Sequence, residues 1–146
     1  MSHWTYLKLY LTHKWLVFLW CVRLGVPWRG ILHDISKLLP SEWIPLSRRF
    51  GGGGGDIADV DRAHVLHRNR NGHMYQHWCL KEDDGKWVFL EIPEPYLKEM
   101  IADWIVKAGS PRQALDWILN HEDVWVSING KSLTSIIRHL LVLSYE

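Results

Sequence analysis

The sequence has few cysteines, which excludes several small-domain architectures. Only Cys21 and Cys79 occur among 146 residues, too few for a disulfide scaffold and not spaced as a zinc-binding CxxC pair. Both lie in apolar surroundings, so we expect buried free thiols and a reducing, cytoplasmic environment.

The chain also lacks a strong net charge and a long hydrophobic run. A formal charge of +1 argues against a long nucleic-acid partner, since such domains usually carry a marked basic excess. It leaves room for a small phosphate ligand held by a few local cations. The most apolar run, 15–22, is too short to cross a bilayer, and no secretory cleavage site is visible. We therefore expect a soluble protein that does not bind membranes.

What remains favours one mainly helical domain over residues 1–146, without internal repeats. Apolar periodicity and Gly/Pro punctuation predict helices over 3–23, 28–39, 41–50, 56–70, 93–107, 111–120 and 131–144. Two apolar stretches around the acidic turn 82–85 predict a small β-hairpin. The predicted fold class is all-α, a helical bundle with one hairpin.

Residues Gly51–Gly55 are five consecutive glycines, a composition typical of a flexible loop. The run is compatible with a natural loop and equally with an engineered linker that replaces a longer one. We assign it no chemistry.

Ten tryptophans are a high load for a chain of this length. Because aromatic rings bury much apolar surface, we expect most of them in the core. Trp78, Trp87 and Trp104 flank the candidate site in sequence, and one of them could instead stack on a base.

His33 and Asp34 are adjacent polar residues in an apolar, helix-compatible segment, where neither residue type is common. Of nine histidines in the chain, five lie between residues 33 and 77. Each buried imidazole needs a partner, and a shared metal ion is a common one. His and carboxylate ligands suit Zn, Mn, Fe, Co or Ni better than Ca or Mg, although Mg stays among the candidates.

Apart from His13 and His33, the histidines form two pairs that could each share a helix face, and a set of three that we interpret as surface or structural residues. His64 and His67 share a helix face, and His73 and His77 would share one if their turn is helical. The surface or structural set is His3, His121 and His139.

The segment His33–Lys37 resembles the HDxxK form of the doublet in HD-domain metal-dependent phosphohydrolases. Those enzymes are all-helical bundles that use an upstream His, the His-Asp doublet and a distant downstream Asp as metal ligands. The resemblance implies that His13 and Asp103 complete the ligand set with His33 and Asp34.

A closer resemblance, over roughly residues 8–107, is to DUF5662, an uncharacterised and often phage-encoded family. Its HDxSKxxxxE, HxxxNxHHxxYW and EMxADW motifs are similar to His33–Glu42, His67–Trp78 and Glu99–Trp104. Met74 stands where the family often has a second His, and His77 where it often has Tyr. A phage origin would imply the host cytoplasm.

These resemblances imply a divalent-metal-dependent phosphohydrolase acting on a small phosphorylated molecule, with a nucleotide as the favoured substrate. Metal-bound hydroxide would attack phosphorus, and the site would hold one or two ions. The implied ligands of the first ion are His13, His33, Asp34 and Asp103. His67 and His73 would either hold a second ion or contact the phosphate and protonate the leaving oxygen.

Several polar residues near these ligands are candidates for substrate contacts. Lys37 follows the doublet by one helical turn and would neutralise phosphate, unless it is a solvated surface lysine. Arg70 and Asn71 could contact phosphate or ribose or serve an ordinary loop. Glu42 could orient a ligand histidine or stabilise the first turn of its helix.

Two other functions fit the same residues. A helical His/Asp scaffold of this kind also carries di-iron oxygenases that cleave C–C or C–P bonds. A non-enzymatic phage module, in which the metal staples the helices around a sequestered ligand, is the second. A homo-oligomer is compatible with all three functions.

Overall fold

A computed structural model describes residues 2–146, all of the predicted domain except Met1. The α-helices are α1 (Ser2–Arg23), α2 (Pro27–Leu32), α3 (Pro40–Phe50), α4 (Ile57–Arg70), α5 (Glu94–Ala108), α6 (Pro111–Leu119), α7 (Glu122–Trp125) and α8 (Gly130–Ser144). Two short 3₁₀ helices cover Ile35–Leu38 and Tyr75–Trp78. The strands β1 (Cys79–Lys81) and β2 (Trp87–Phe89) pair antiparallel, with Leu80 opposite Val88. The prediction of a mainly helical fold with one small hairpin is confirmed.

Local sequence explains where most helices begin and end. Proline opens α2, α3 and α6 at a first-turn position, where its missing N–H is not needed. The side chains of Asp56 and Asn129 accept backbone hydrogen bonds at the starts of α4 and α8. Gly109 ends α5 with a φ of 100°, a conformation that glycine adopts without steric cost.

The predicted helix over 28–39 is wrong, because α2 ends at Leu32. His33 is extended, and Asp34 adopts a left-handed conformation with a φ of 56°, the only positive φ of a non-glycine residue within 2–146. Lys14 of α1 donates from Nζ to the carbonyl oxygens of Ile31 and His33. It thereby satisfies acceptors that the broken helix leaves free.

The helices enclose an apolar core on one side of α5. This helix packs against α1, α2, α6 and α8. The fully buried apolar residues include Val17, Cys21, Met100, Ile101, Ile105, Ile118, Ile136 and Leu140. A smaller cluster joins α1, α3 and α4 through Tyr6, Leu46, Val60 and Ala63.

Other sequence expectations are corrected or refined by the fold. Both cysteines are free, but only Cys21 is buried and Cys79 is half-buried. The expectation of mostly buried tryptophans is wrong, because five of the ten have exposed side chains: Trp4, Trp15, Trp28, Trp87 and Trp117. Gly51–Gly55 form the loop between α3 and α4, as predicted. No helix within residues 2–146 combines the length and apolar character needed to cross a membrane.

Candidate metal centre

Six polar side chains meet in the interior on the other side of α5, and we call them the His/Asp cluster. They are His13, His33, Asp34, His67, His73 and Asp103. His13 lies on α1 and Asp103 on α5, while the break after α2 supplies the doublet. The last turn of α4 and the turn after it supply His67 and His73. All except the half-buried His13 are buried.

One half of the cluster surrounds Asp103. Its Oδ1 lies 3.0 Å from His13 Nε2 and 3.8 Å from His33 Nε2. The two Nε2 atoms are themselves 3.3 Å apart. Three potential ligand atoms from three elements therefore face one small space.

The other half surrounds Asp34. Its Oδ1 lies 3.2 Å from both His67 Nε2 and His73 Nε2, and its Oδ2 lies 3.5 Å from His33 Nε2. Lys37 Nζ donates to Oδ2. The left-handed backbone at Asp34 lets His33 and Asp34 both point inward, which two successive residues of a regular helix, about 100° apart, would not do.

Two further buried carboxylates hold the imidazole rings from behind. Glu99 Oε1 lies 2.9 Å from His33 Nδ1 and 3.1 Å from His73 Nδ1, and Arg29 Nε donates to its Oε2 over 2.7 Å. Glu42 Oε2 lies 2.9 Å from His67 Nδ1. A carboxylate at Nδ1 fixes the ring and leaves Nε2 free for a metal ion.

Burial and charge pull against each other throughout the cluster. Burial alone would raise the pKa of Asp34, but His33 and Lys37 hold that pKa well below its usual range. Burial likewise opposes ionisation of Glu99, yet the neighbouring imidazoles of His33 and His73 lower its pKa to about 2. The carboxyl groups are therefore ionised at neutral pH, the form that binds a cation.

The two imidazoles beside Glu99 respond in opposite directions. Burial lowers the pKa of His33 despite the nearby Asp34. For His73, the carboxylates of Asp34 and Glu99 outweigh burial and raise the pKa to about 9. The protein thus concentrates negative charge at a point where a cation is favoured.

Two oxygen atoms show that the cluster fits a cation. Asp34 Oδ1 and Asp103 Oδ1 are buried and have no hydrogen-bond partner within residues 2–146, an arrangement that is costly without a ligand. Ligand atoms within 4.8 Å of one another form two groups, His13–His33–Asp103 and His33–Asp34–His73. Imidazole and carboxylate groups placed in this way could hold a metal ion.

Comparison with protein families gives a match over residues 2–127, to a family of unknown function, DUF5662. The chain belongs to the DUF5662 family. All six members of the His/Asp cluster lie within the matched range, as do Glu42 and Glu99, so the whole centre is part of the DUF5662 region. No curated protein and no solved structure matches the chain.

The three residues predicted to contact substrate lie around the His/Asp cluster and differ in how far their side chains are buried. Lys37 is partly buried and contacts the cluster directly through Asp34. Arg70 Nη1 donates to Glu42 Oε1 over 2.8 Å. Asn71 is buried and donates to Ser36 Oγ and to the carbonyl of His67. Arg70 and Asn71 therefore brace the centre from behind, and their contact with substrate stays a prediction.

The other histidines lie away from the cluster. His77 is exposed and does not share the inward face of His73. His3 hydrogen bonds with Ser47, and His121 and His139 each bond the carbonyl oxygen of the residue four positions earlier in the chain. His64 lines a cavity beside His67. Trp78 donates to the carbonyl of Gly72 and contacts Tyr96, a structural role.

Sequence reasoning did not single out several residues of the centre. Glu99 stands in a quoted motif without a role, although its spacing of four residues from Asp103 places both on one helix face. Lys107 donates to Asp103 Oδ2 over 2.6 Å, and the same spacing could have revealed it. Arg29 and Lys14 act over long sequence separations, for which no local signal exists.

Proposed function

We propose that this protein is a divalent-metal-dependent phosphohydrolase acting on a small phosphorylated molecule, with nucleotides as the first substrates to test. One observation carries the proposal: Asp34 Oδ1 and Asp103 Oδ1 are buried without hydrogen-bond partners and face four imidazole Nε2 atoms. The resemblance of His33–Lys37 to the HDxxK doublet supports the reaction class, as an analogy between sites.

The cluster residues would hold one or two ions. His13, His33 and Asp103 would form one ligand group, and His33, Asp34 and His73 the other. Because His33 Nε2 has a single lone pair and its Nδ1 contacts Glu99, His33 would bind only one ion at a time. A bound divalent ion would activate water for attack and polarise a phosphoryl oxygen. Glu99 and Glu42 would keep the imidazole rings oriented while this happens.

Side chains that line the cavity beside the cluster would supply the remaining chemistry. Lys37 contacts Asp34 and lines an adjacent cavity, so its ammonium would stabilise charge that develops on the transferring phosphoryl group. His67 lines the same cavity and lies 3.2 Å from Asp34. This position favours donation of a proton to the leaving oxygen, whereas the enclosed His73 is better placed as a metal ligand.

Phosphate release from a panel of nucleotides, with Mn, Co or Ni added, tests the proposal. We expect turnover by the wild-type protein and loss of both metal and turnover in Asp34→Asn. The matched control is Asp83→Asn, which removes an exposed carboxylate in the hairpin turn. Unchanged metal content in Asp34→Asn would contradict the proposal.

A di-iron oxygenase is the second candidate, favoured by two potential ligand groups that each contain their own aspartate. Protein purified without chelator would then contain about two irons per chain and absorb visible light, and no added ion would support phosphate release. A metal-stapled binding module predicts a third result, in which Asp34→Asn loses both metal and fold and no substrate is turned over.

A further inference from the structure

A cavity of about 340 Å³ opens beside the His/Asp cluster, between the surfaces of α1, α3, α4 and α5. It reaches the cluster through His67, the one member that lines it. Its volume is at the lower end of the roughly 300–1,000 Å³ typical of small-molecule sites. The cavity therefore has room for a compact ligand next to the candidate metal centre.

Cationic side chains from three segments converge on this cavity. Lys37 comes from the first 3₁₀ helix, Arg68 from α4 and Lys107 from α5. Burial lowers the pKa of His64, which also lines the cavity, and the nearby Arg68 lowers it further. The cavity therefore has three cations in its lining, although the chain as a whole is nearly neutral.

The three cations differ in how they are partnered. Lys37 and Lys107 each bond the Oδ2 atom of a cluster aspartate, which leaves the inward Oδ1 atoms unaffected. Within residues 2–146, the Arg68 guanidinium has no hydrogen bond or ion pair. An unpartnered guanidinium presents several donors in a planar fork that matches phosphate oxygens.

The cavity also has an apolar part. It is formed by Tyr6 of α1, Leu46 and Phe50 of α3, and Met74 before the second 3₁₀ helix. Phe50 is about half exposed, so ring surface is available to a ligand. A site that combines cations with an exposed aromatic ring suits a molecule with one anionic and one apolar end.

We infer that this cavity binds a phosphomonoester of a compact, ring-sized organic group, with Arg68 on the phosphate and Phe50 against the organic group. The inference rests on the proposed function and narrows its substrate class. Lys37 and Lys107 join Arg68 around the phosphate, which lies next to His67 and hence beside the cluster. The small volume favours a single phosphate over a polyphosphate chain.

Binding of inorganic phosphate and of phenyl phosphate, measured by calorimetry on chelator-treated and Mn-loaded protein, tests the inference without requiring turnover. Arg68→Gln should weaken both ligands about tenfold or more, since a charge-assisted contact is lost. Arg138→Gln is the matched control, because Arg138 is an exposed arginine on α8 that does not line the cavity. Arg68 is also exposed, so both variants should fold.

Phe50→Ala separates the two ends of the ligand. It should leave inorganic phosphate affinity unchanged and remove most of the preference for phenyl phosphate. Circular dichroism and Mn content should match the wild type in every variant, because none of these residues belongs to the cluster.

The outcomes distinguish this inference from the proposed function. Phosphate binding that depends on Arg68, without hydrolysis of any phosphomonoester, would support the cavity and overturn the phosphohydrolase. Hydrolysis with equal KM in wild type and Arg68→Gln would support the phosphohydrolase and overturn the cavity. An absence of phosphate binding by the wild type, with or without Mn, would also overturn the inference about the cavity.

Discussion

Helix α5 separates two interiors that are built on opposite physical principles. One face carries Met100, Ile101 and Ile105 into an apolar core, while Glu99 and Asp103 enter the polar interior of the His/Asp cluster. Burial of apolar surface is favourable without any further partner. Buried carboxylates and imidazoles are favourable only when charge and hydrogen bonds are satisfied.

The two interiors differ in whether the chain's own atoms satisfy every buried group. Each buried carboxylate is paired with one lysine or arginine: Lys37 for Asp34, Arg70 for Glu42, Arg29 for Glu99 and Lys107 for Asp103. Asp34 Oδ1 and Asp103 Oδ1 still lack hydrogen bonds, although imidazole nitrogens lie 3.0–3.2 Å away. The apolar core is therefore satisfied by the chain's own atoms, whereas the cluster keeps ligand atoms that a bound cation would satisfy.

Removal of the shared ligand should give the largest effect. His33 belongs to both ligand groups, so His33→Ala should weaken metal binding by more than the ~100-fold at the upper end for outer-shell partners. Elemental analysis after purification without chelator measures this loss. A His33→Ala protein with its full metal content would contradict this prediction, because metal binding would then not depend on the residue that both ligand groups contain.

A matched deletion on the other side of α5 should act on stability alone. Leu140 is fully buried in the apolar core, and Leu140→Ala should lower the free energy of unfolding by about 2–5 kcal/mol. Urea denaturation measures the loss. Metal per folded chain should stay at the wild-type level, and a parallel fall in metal would mean that the two interiors are coupled.

Glu99→Gln tests the boundary between the two interiors with a smaller change. The variant keeps the size of the side chain but removes the charge that holds His33 and His73 at Nδ1. Metal affinity should fall about 10–100-fold, as measured by competition with a chromophoric chelator. Glu94→Gln, an exposed position on the same helix, is the control and should bind metal like the wild type.

The sequence allowed the apolar side of this comparison to be predicted better than the polar side. Caps, prolines and periodicity are local signals, and they predicted α4, α6 and α8 to within one or two residues. The break at His33 and Asp34 has no glycine or proline to mark it. Lys14, which stabilises the break, is 17 residues before Ile31 in the chain, so only the tertiary structure reveals it.

The same reason explains which site residues could be foreseen. The doublet, His67, His73 and Asp103 stand in recognisable motifs, and the structure brings them together with His13. Glu99 acts through contacts 66 and 26 residues away in sequence, and Arg68 matters only because it shares a cavity with Lys37 and Lys107. Such roles depend on which elements pack together, which composition and periodicity do not determine.

Cysteine labelling gives the smallest expected effect and the sharpest test that the two interiors are independent. Cys21 lies in the apolar core, and burial raises its thiol pKa to about 12. Since thiolate is the reactive form and the side chain is fully buried, labelling of the folded protein should be very slow at pH 7. Replacing the half-buried Cys79 with Ser removes the competing signal from the second free thiol.

Metal should leave this labelling rate unchanged. If the apolar core is complete without the cluster, the Cys21 thiol in Cys79→Ser should react equally slowly with and without a chelator at fixed pH. Any change in rate measures how far the cluster stabilises the core, because a buried thiol reacts when the surrounding structure opens. A large acceleration after chelation would show that α5 transmits the loss of the ion to its apolar face, and the two interiors would then be one cooperative unit.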